Sequence, residues 1–256
     1  MDNPPVRLAS LQDLKRWPEI SQDTNARGCT IWIQSTRAVK QCDISSARFE
    51  NEINLIKQCC HPNIIKITET WTDGESRFYS MPRYWTDLLT AVNSRIPNLV
   101  IARSEFKQII AAISYLHTNN IVHLDIKLEN ILVGPTLVLA DFEFAKSCKP
   151  GQLLTEFVGS PHYSAPELVN RVPYDPYRSD IYSAGVVLYA LGHGFLPFGG
   201  STYRELFRRI RSGKYQINPK LDERYLHLLR WMMHANPNLR ADIKDVEKHD
   251  WLNRTV

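Results

Sequence analysis

Asp125, Lys127 and Asn130 fall within the short segment "HLDIKLEN", and a fourth polar residue, Asp141, follows the apolar runs "ILV" and "LVLA". Gly134-Pro135 between those runs is a turn signal, so the pattern reads as a short hairpin that folds Asp141 back beside the first three. Their types suit one chemistry. Asn and Asp offer hard oxygens to Mg²⁺, which takes few protein ligands and completes its shell with substrate phosphates. A separate Asp can orient a hydroxyl and accept its proton, while a neighbouring Lys stabilises charge on a phosphoryl group in transfer. The expected reaction is phosphoryl transfer.

Positioning four such groups needs a sizeable scaffold, and 256 residues supply one large domain or two lobes. Hydrophobic residues at 43% and charged residues at 23% are globular values that exclude a disordered chain. A net charge of +4, dispersed along the sequence, gives no reason to expect nucleic acid as a partner. The five cysteines (29, 42, 59, 60 and 148) match no metal spacing and are expected as reduced thiols. The N-terminus has no apolar leader and no run suits a membrane span, so a cytoplasmic or nuclear protein without membrane contact is expected.

"GCTIWIQSTRAVKQC" reads as two strands about a polar turn near Gln34 to Thr36. "SSARFENEINLIKQCC" places Phe49, Ile53 and Ile56 at helical spacing, with Leu55 beside them, and Pro62 stops that helix. Two further strands flank Asp73-Gly74. Beyond residue 86 the pattern is helical. "SEFKQIIAAISYLHTNN" predicts an amphipathic helix capped by Ser104, "RSDIYSAGVVLYALGHG" a buried one, and "STYRELFRRIRSG" and "DERYLHLLRWMMHAN" two more. A small β-rich lobe with one main helix is therefore expected before a larger, mostly α-helical lobe, an α+β chain whose link "MPRYWTDL" borders a cleft. The basic face of "RELFRRIRSGK" reads as solvated surface.

These segments together resemble a eukaryotic-type protein kinase catalytic domain over roughly residues 20 to 252. The catalytic-loop pattern H-R-D-x-K-x-x-N is matched by His123 to Asn130, the D-F-G motif by Asp141-Phe142-Glu143, and the A-x-K strand by Ala38 and Lys40. Glu52 stands where the helix carboxylate is expected, and "GSPHYSAPE" resembles the end of an activation segment. The resemblance implies a bilobal kinase fold as one domain over 1–256, with the N-lobe at 11–81, the hinge at 82–87 and the C-lobe at 88–252. It implies ATP and Mg²⁺ as cofactors: Asp125 and Lys127 catalytic, Asn130 and Asp141 on the metal, and Lys40, paired with Glu52, on the phosphates. Ala38, Gly28, Met81 as gatekeeper, Tyr84 in the hinge and Leu132 complete the implied nucleotide site. Glu167 is implied to pair with Arg240, and Asp180 to anchor the catalytic loop. His123, Phe142 and Ile56 are expected to stack as core connecting the lobes.

Lys127 and Ser160 match the Ser/Thr-specific members, so protein substrates with Ser or Thr acceptors are implied, and a monomer is expected. Glu129 matches the position that favours basic residues upstream of the acceptor. The hinge also resembles that of herpesvirus-type serine/threonine kinases. Three departures stand out. "DTNARGCTIW" keeps only Gly28 of the phosphate-loop glycines, which weakens the expected grip on ATP. Glu143 replaces the D-F-G glycine, either stiffening the segment or crowding the site. Leu124 replaces the Arg that binds a phosphorylated loop, and alignment with cyclic-AMP-dependent protein kinase puts Glu156 at the usual phospho-acceptor position. Activation without loop phosphorylation is the expectation. The rival reading is a pseudokinase that binds partners through the same fold. The lost glycines favour it, and the retained charged groups oppose it.

Overall fold

The computed structural model describes residues 21–24, 29–33 and 36–253. Gly28 and the turn residues Gln34 and Ser35 lie outside them. The chain divides into two compact units, one of residues 1–60 and 65–84, the other of 61–64 and 85–256.

The first unit is an antiparallel sheet in the order β1-β2-β3-β5-β4, from β1 (Ser21–Thr24), β2 (Thr30–Ile33), β3 (Arg37–Asp43), β4 (Glu69–Asp73) and β5 (Ser76–Pro82). Its β4–β5 turn is the expected one, with Gly74 at φ +57° where a side chain would be strained. Helix α1 (Ala47–Gln58) begins where the Ser46 hydroxyl accepts the Phe49 amide, and it buries Phe49, Ile53, Leu55 and Ile56. Phe49 stacks on Tyr79 at a centroid distance of 5.4 Å, which fixes the helix on the β3–β5 pair.

The cysteine expectation is corrected in this unit. Cys29 and Cys42 form a disulfide, because the β2–β3 register pairs Thr30 with Gln41 and so sets the next residues out, 29 and 42, opposite each other with Cα atoms 4.5 Å apart. Cys59, Cys60 and Cys148 lie outside it.

In the second unit β6 (Thr86–Asp87) leads through α2 (Leu88–Asn93) to the 20-residue α3 (Leu99–Thr118). The α3 cap is Asn98, whose side chain accepts the amides of Val100 and Ile101; Ser104, the expected cap, lies one turn inside the helix. Strand β7 (Ile121–Val122), the hairpin β8 (Ile131–Val133) and β9 (Leu137–Leu139), and β10 (Lys146–Ser147) follow. They form two small sheets, β6-β8-β9 and β10-β7. Helices α4 (Pro166–Val169), α5 (Pro176–His193), α6 (Tyr203–Ser212), α7 (Glu223–Met232), α8 (Ile243–Lys248) and α9 (Asp250–Asn253) complete the unit. Asp175 and Pro176 start α5, Gly194 at φ +81° ends it, and fourteen of its eighteen residues are buried. Among the described residues no helix is long and apolar enough to cross a membrane.

Candidate active site

In the first unit β3 and β5 pair Lys40 with Tyr79 and Ala38 with Met81. Lys40 Nζ lies 2.9 and 2.8 Å from the two Glu52 carboxylate oxygens, and the Tyr79 hydroxyl donates to Glu52 Oε1 at 3.0 Å. Lys40 is 3% exposed and Glu52 wholly buried. A buried ammonium and carboxylate are tolerable only when paired and hydrogen-bonded, and Tyr79 adds a donor that the sequence pattern does not reveal. Ala38 and Met81 are buried, and Tyr84 is half-buried at the end of the unit.

In the second unit a left-handed Asn120 (φ +56°) turns the chain out of α3 into β7, and β10 pairs with β7. The following loop is held from below by Asp180 on α5. Its Oδ2 accepts the His123 amide and lies 3.0 Å from His117 Nε2, and its Oδ1 accepts the Leu124 amide. His123 packs edge-on against Phe142 at 4.9 Å. Its Nδ1 accepts the Asp125 amide and its Nε2 lies 3.1 Å from the Ala140 carbonyl, which fixes a neutral ring with the proton on Nε2. Burial pushes the His123 pKa below its ordinary value.

The catalytic candidates converge on one carboxylate. Asp125 Oδ2 accepts from Lys127 Nζ at 2.8 Å and from Asn130 Nδ2 at 3.1 Å, while its Oδ1 is buried without a hydrogen-bond partner among the described residues. Asn130 Nδ2 also donates to the Asp125 carbonyl, which leaves the amide oxygen as the atom Asn130 can offer a cation. The hairpin joins the two halves of the segment, since the Ala140 amide donates to the Asn130 carbonyl at 2.8 Å and Asp141 follows at once, at φ +60°. Leu132 lies at the centre of β8. An Asn oxygen and an Asp carboxylate are hard donors that fit Mg²⁺, and the buried Asp125 Oδ1, without a partner among the described residues, fits a hydroxyl donor.

Glu143 is buried at 8% exposure in a turn closed by the Ala145 amide on the Phe142 carbonyl. The left-handed residue of this segment is Asp141, so position 143 makes no conformational demand for glycine. Lys127 Nζ also donates to Ser160 Oγ at 3.0 Å. Between them in sequence Gly159, at φ +86°, passes so close that a Cβ there would run into the Leu124 carbonyl oxygen. Glu129 is exposed, and its Oε2 accepts the Tyr163 hydroxyl at 2.8 Å. Burial, with the Glu129 carboxylate second, pushes the Tyr163 pKa up. Arg240 and Glu167 form a buried two-point ion pair at 2.7 and 2.9 Å.

These two sets of residues, a buried Lys–Glu pair on a small sheet and an Asp–Lys–Asn loop on a helical unit, define a protein kinase catalytic fold. The protein kinase domain family matches residues 23–252, and the chain belongs to that family. It is 34% identical over 241 residues to human NUAK family SNF1-like kinase 2, covering 92% of this chain and 38% of that protein. It is also 34% identical over 232 residues to mouse NUAK family SNF1-like kinase 1, covering 88% of this chain and 35% of the relative. The probable serine/threonine-protein kinase MARK-A of Dictyostelium discoideum is 34% identical over 212 residues, 80% of this chain and 20% of its own. The chain thus spans well under half the length of these curated relatives.

Proposed function

We propose that the chain is a serine/threonine protein kinase that transfers the γ-phosphate of Mg-ATP to hydroxyls of protein substrates. The observation that carries this reading is the Asp125 carboxylate, with one oxygen held by Lys127 and Asn130 and the other buried and without a partner among the described residues. A substrate hydroxyl supplies the missing donor. Asp125 then orients that oxygen and takes its proton as the new bond to the γ-phosphorus forms and the bond from that phosphorus to the ADP oxygen breaks, with ADP as the leaving group. Lys127, bonded to Asp125 and Ser160, sets its charge beside the transferring group. Asn130 and Asp141 would hold the Mg²⁺, which would supply positive charge to offset that of the phosphates. Lys40, oriented by Glu52, is assigned the phosphates, and Ala38, Met81, Tyr84 and Leu132 are assigned to nucleotide binding by their match to the family's motifs, as is Gly28, which lies outside the described residues.

Ser/Thr specificity is supported by the Lys127–Ser160 contact and by the name of one relative, the probable serine/threonine-protein kinase MARK-A. A scaffold without catalysis has less support, since every charged catalytic group is retained and Glu143 sits where no glycine is required. Glu129, steadied by Tyr163, is assigned a preference for a basic residue near the acceptor. The activation segment is assigned an active conformation without phosphorylation, because Glu156 already supplies a carboxylate that Lys146 binds. The test is incubation with γ-labelled Mg-ATP and a basic protein, followed by identification of the labelled amino acid. Label on Ser or Thr is expected. Label on Tyr alone, or none from folded protein, would sink the reading.

A further inference from the structure

Helix α6 carries four arginines and one carboxylate, Glu205. Arg209 donates to that carboxylate, and Arg211 is spent on α4, bonding Asn170 Oδ1 at 2.9 Å and the Val169 carbonyl at 3.1 Å. Arg204 and Arg208, four residues apart and so on one face, are exposed and make no ion pair among the described residues. The adjoining face is aromatic. Tyr203, 64% exposed, stacks on Phe207 at 6.0 Å, and Phe207 meets Phe157 of the activation segment edge-on at 5.9 Å. Phe157 is itself 38% exposed and stands three residues before Ser160, the contact of Lys127. A continuous aromatic strip thus runs from Phe157 of the activation segment onto α6, beside two guanidinium groups that are unneutralised among the described residues.

Exposed aromatics beside arginines are what a desolvated anchor with a steering charge requires. The arginines settle the sign of the partner. The Arg211 bonds and the buried Leu206 and Ile210 hold the helix rigid, so the surface is preformed. We infer that Tyr203, Phe207, Arg204 and Arg208 of α6, continuous with Phe157, form a docking surface for an acidic segment containing apolar or aromatic residues. That segment belongs to the protein substrate and lies away from its phosphorylated residue. The inference rests on the protein kinase reading for its biological sense, but the binding itself does not require catalysis.

The probe is a fluorescently labelled copolymer of glutamate and tyrosine, which carries acid and aromatic groups but no Ser or Thr. Its binding is measured by anisotropy on the full chain bearing Asp125→Asn, so that failure of the kinase reading leaves the measurement untouched. Arg204→Glu with Arg208→Glu is expected to weaken binding about tenfold or more, and Tyr203→Ser by about threefold. Arg224→Glu with Lys248→Glu, exposed charges on α7 and α8, is the control for net charge and is expected to change it less than twofold. Equal weakening by the control pair, no weakening by the α6 pair, or no binding by the parent would each overturn the inference. In the active chain the α6 pair is expected to raise KM for dephosphorylated casein, an acidic protein, with kcat unchanged, and to leave a short basic serine peptide unaffected.

Discussion

Lys146 and Glu156 form a two-point ion pair across the activation segment, with Lys146 Nζ 2.8 and 2.7 Å from the two carboxylate oxygens. Lys146 lies in β10, which is hydrogen-bonded to β7 just before the catalytic loop, and the Tyr174 hydroxyl donates to the Glu156 carbonyl at 3.1 Å. The segment is therefore tied to the loop by a genetically fixed charge. Because both side chains reach solvent, the pair is worth little. Glu156→Gln is expected to lower kcat only about two- to fivefold, with recovery in the swapped Lys146→Glu, Glu156→Lys chain. Phosphatase treatment is expected to leave the rate unchanged. Abolition of activity by phosphatase, with Thr155 found phosphorylated beforehand, would contradict this.

The Lys40–Glu52–Tyr79 cluster is buried, and its disruption has a larger effect. Glu52→Gln leaves the Lys40 ammonium without its counter-charge, at a cost of about 3–5 kcal/mol in urea unfolding. Tyr79→Phe removes one bond to a charged acceptor and should cost about 1–2 kcal/mol. Equal effects of the two changes would mean that Glu52 is stabilised by something other than Lys40.

Gly159→Ala tests how the activation segment meets the catalytic loop. The new methyl would strike the Leu124 carbonyl and would sit at a φ that alanine adopts only under strain. Displacing the loop by about 1 Å is expected to slow transfer about 100-fold, while circular dichroism shows the chain folded. Full activity in this variant would refute the close approach.

His123 links stability to pH. Its folded pKa is depressed below 6.5 by burial, so the unfolded chain binds the proton first as pH falls. The stability associated with its neutral form is present above pH 6.5 and lost below it. His193 and His249, also depressed by burial, remain in both chains and cancel in a comparison. The urea midpoint of the parent should therefore drop more between pH 8 and pH 5.5 than that of His123→Asn. Parallel drops would show that His123 accepts a proton freely in the folded state.

Much of this architecture is legible in the residues. The strand pairs about Asp73-Gly74 and Gly134-Pro135, the helix of Phe49, Ile53 and Ile56, and the buried helix around Asp180 follow from turn chemistry and periodicity. Asp125, Lys127 and Asn130 were readable because one short loop holds all three. Tyr79 was not, since it reaches Glu52 only through the β3–β5 register and looks like any core aromatic. The Cys29–Cys42 pair is hidden for the same reason, being a consequence of register and not of a spacing motif. Ser104 does not cap the helix because a good cap residue can equally sit inside a helix that Asn98 has already begun. Lys146 carries no signal in the sequence, because its partner Glu156 lies ten residues on with no helical or strand spacing to link them.

The most direct test of the account is the single-turnover rate of γ-phosphate transfer in Asp125→Asn, measured beside Mg-ATP binding in the same protein. Asparagine keeps the size of the side chain but cannot accept the hydroxyl proton. The expected result is a rate at least about 100-fold lower, with nucleotide affinity within a factor of two of the parent. Transfer at the parental rate would contradict the role given to Asp125 and, with it, the mechanism.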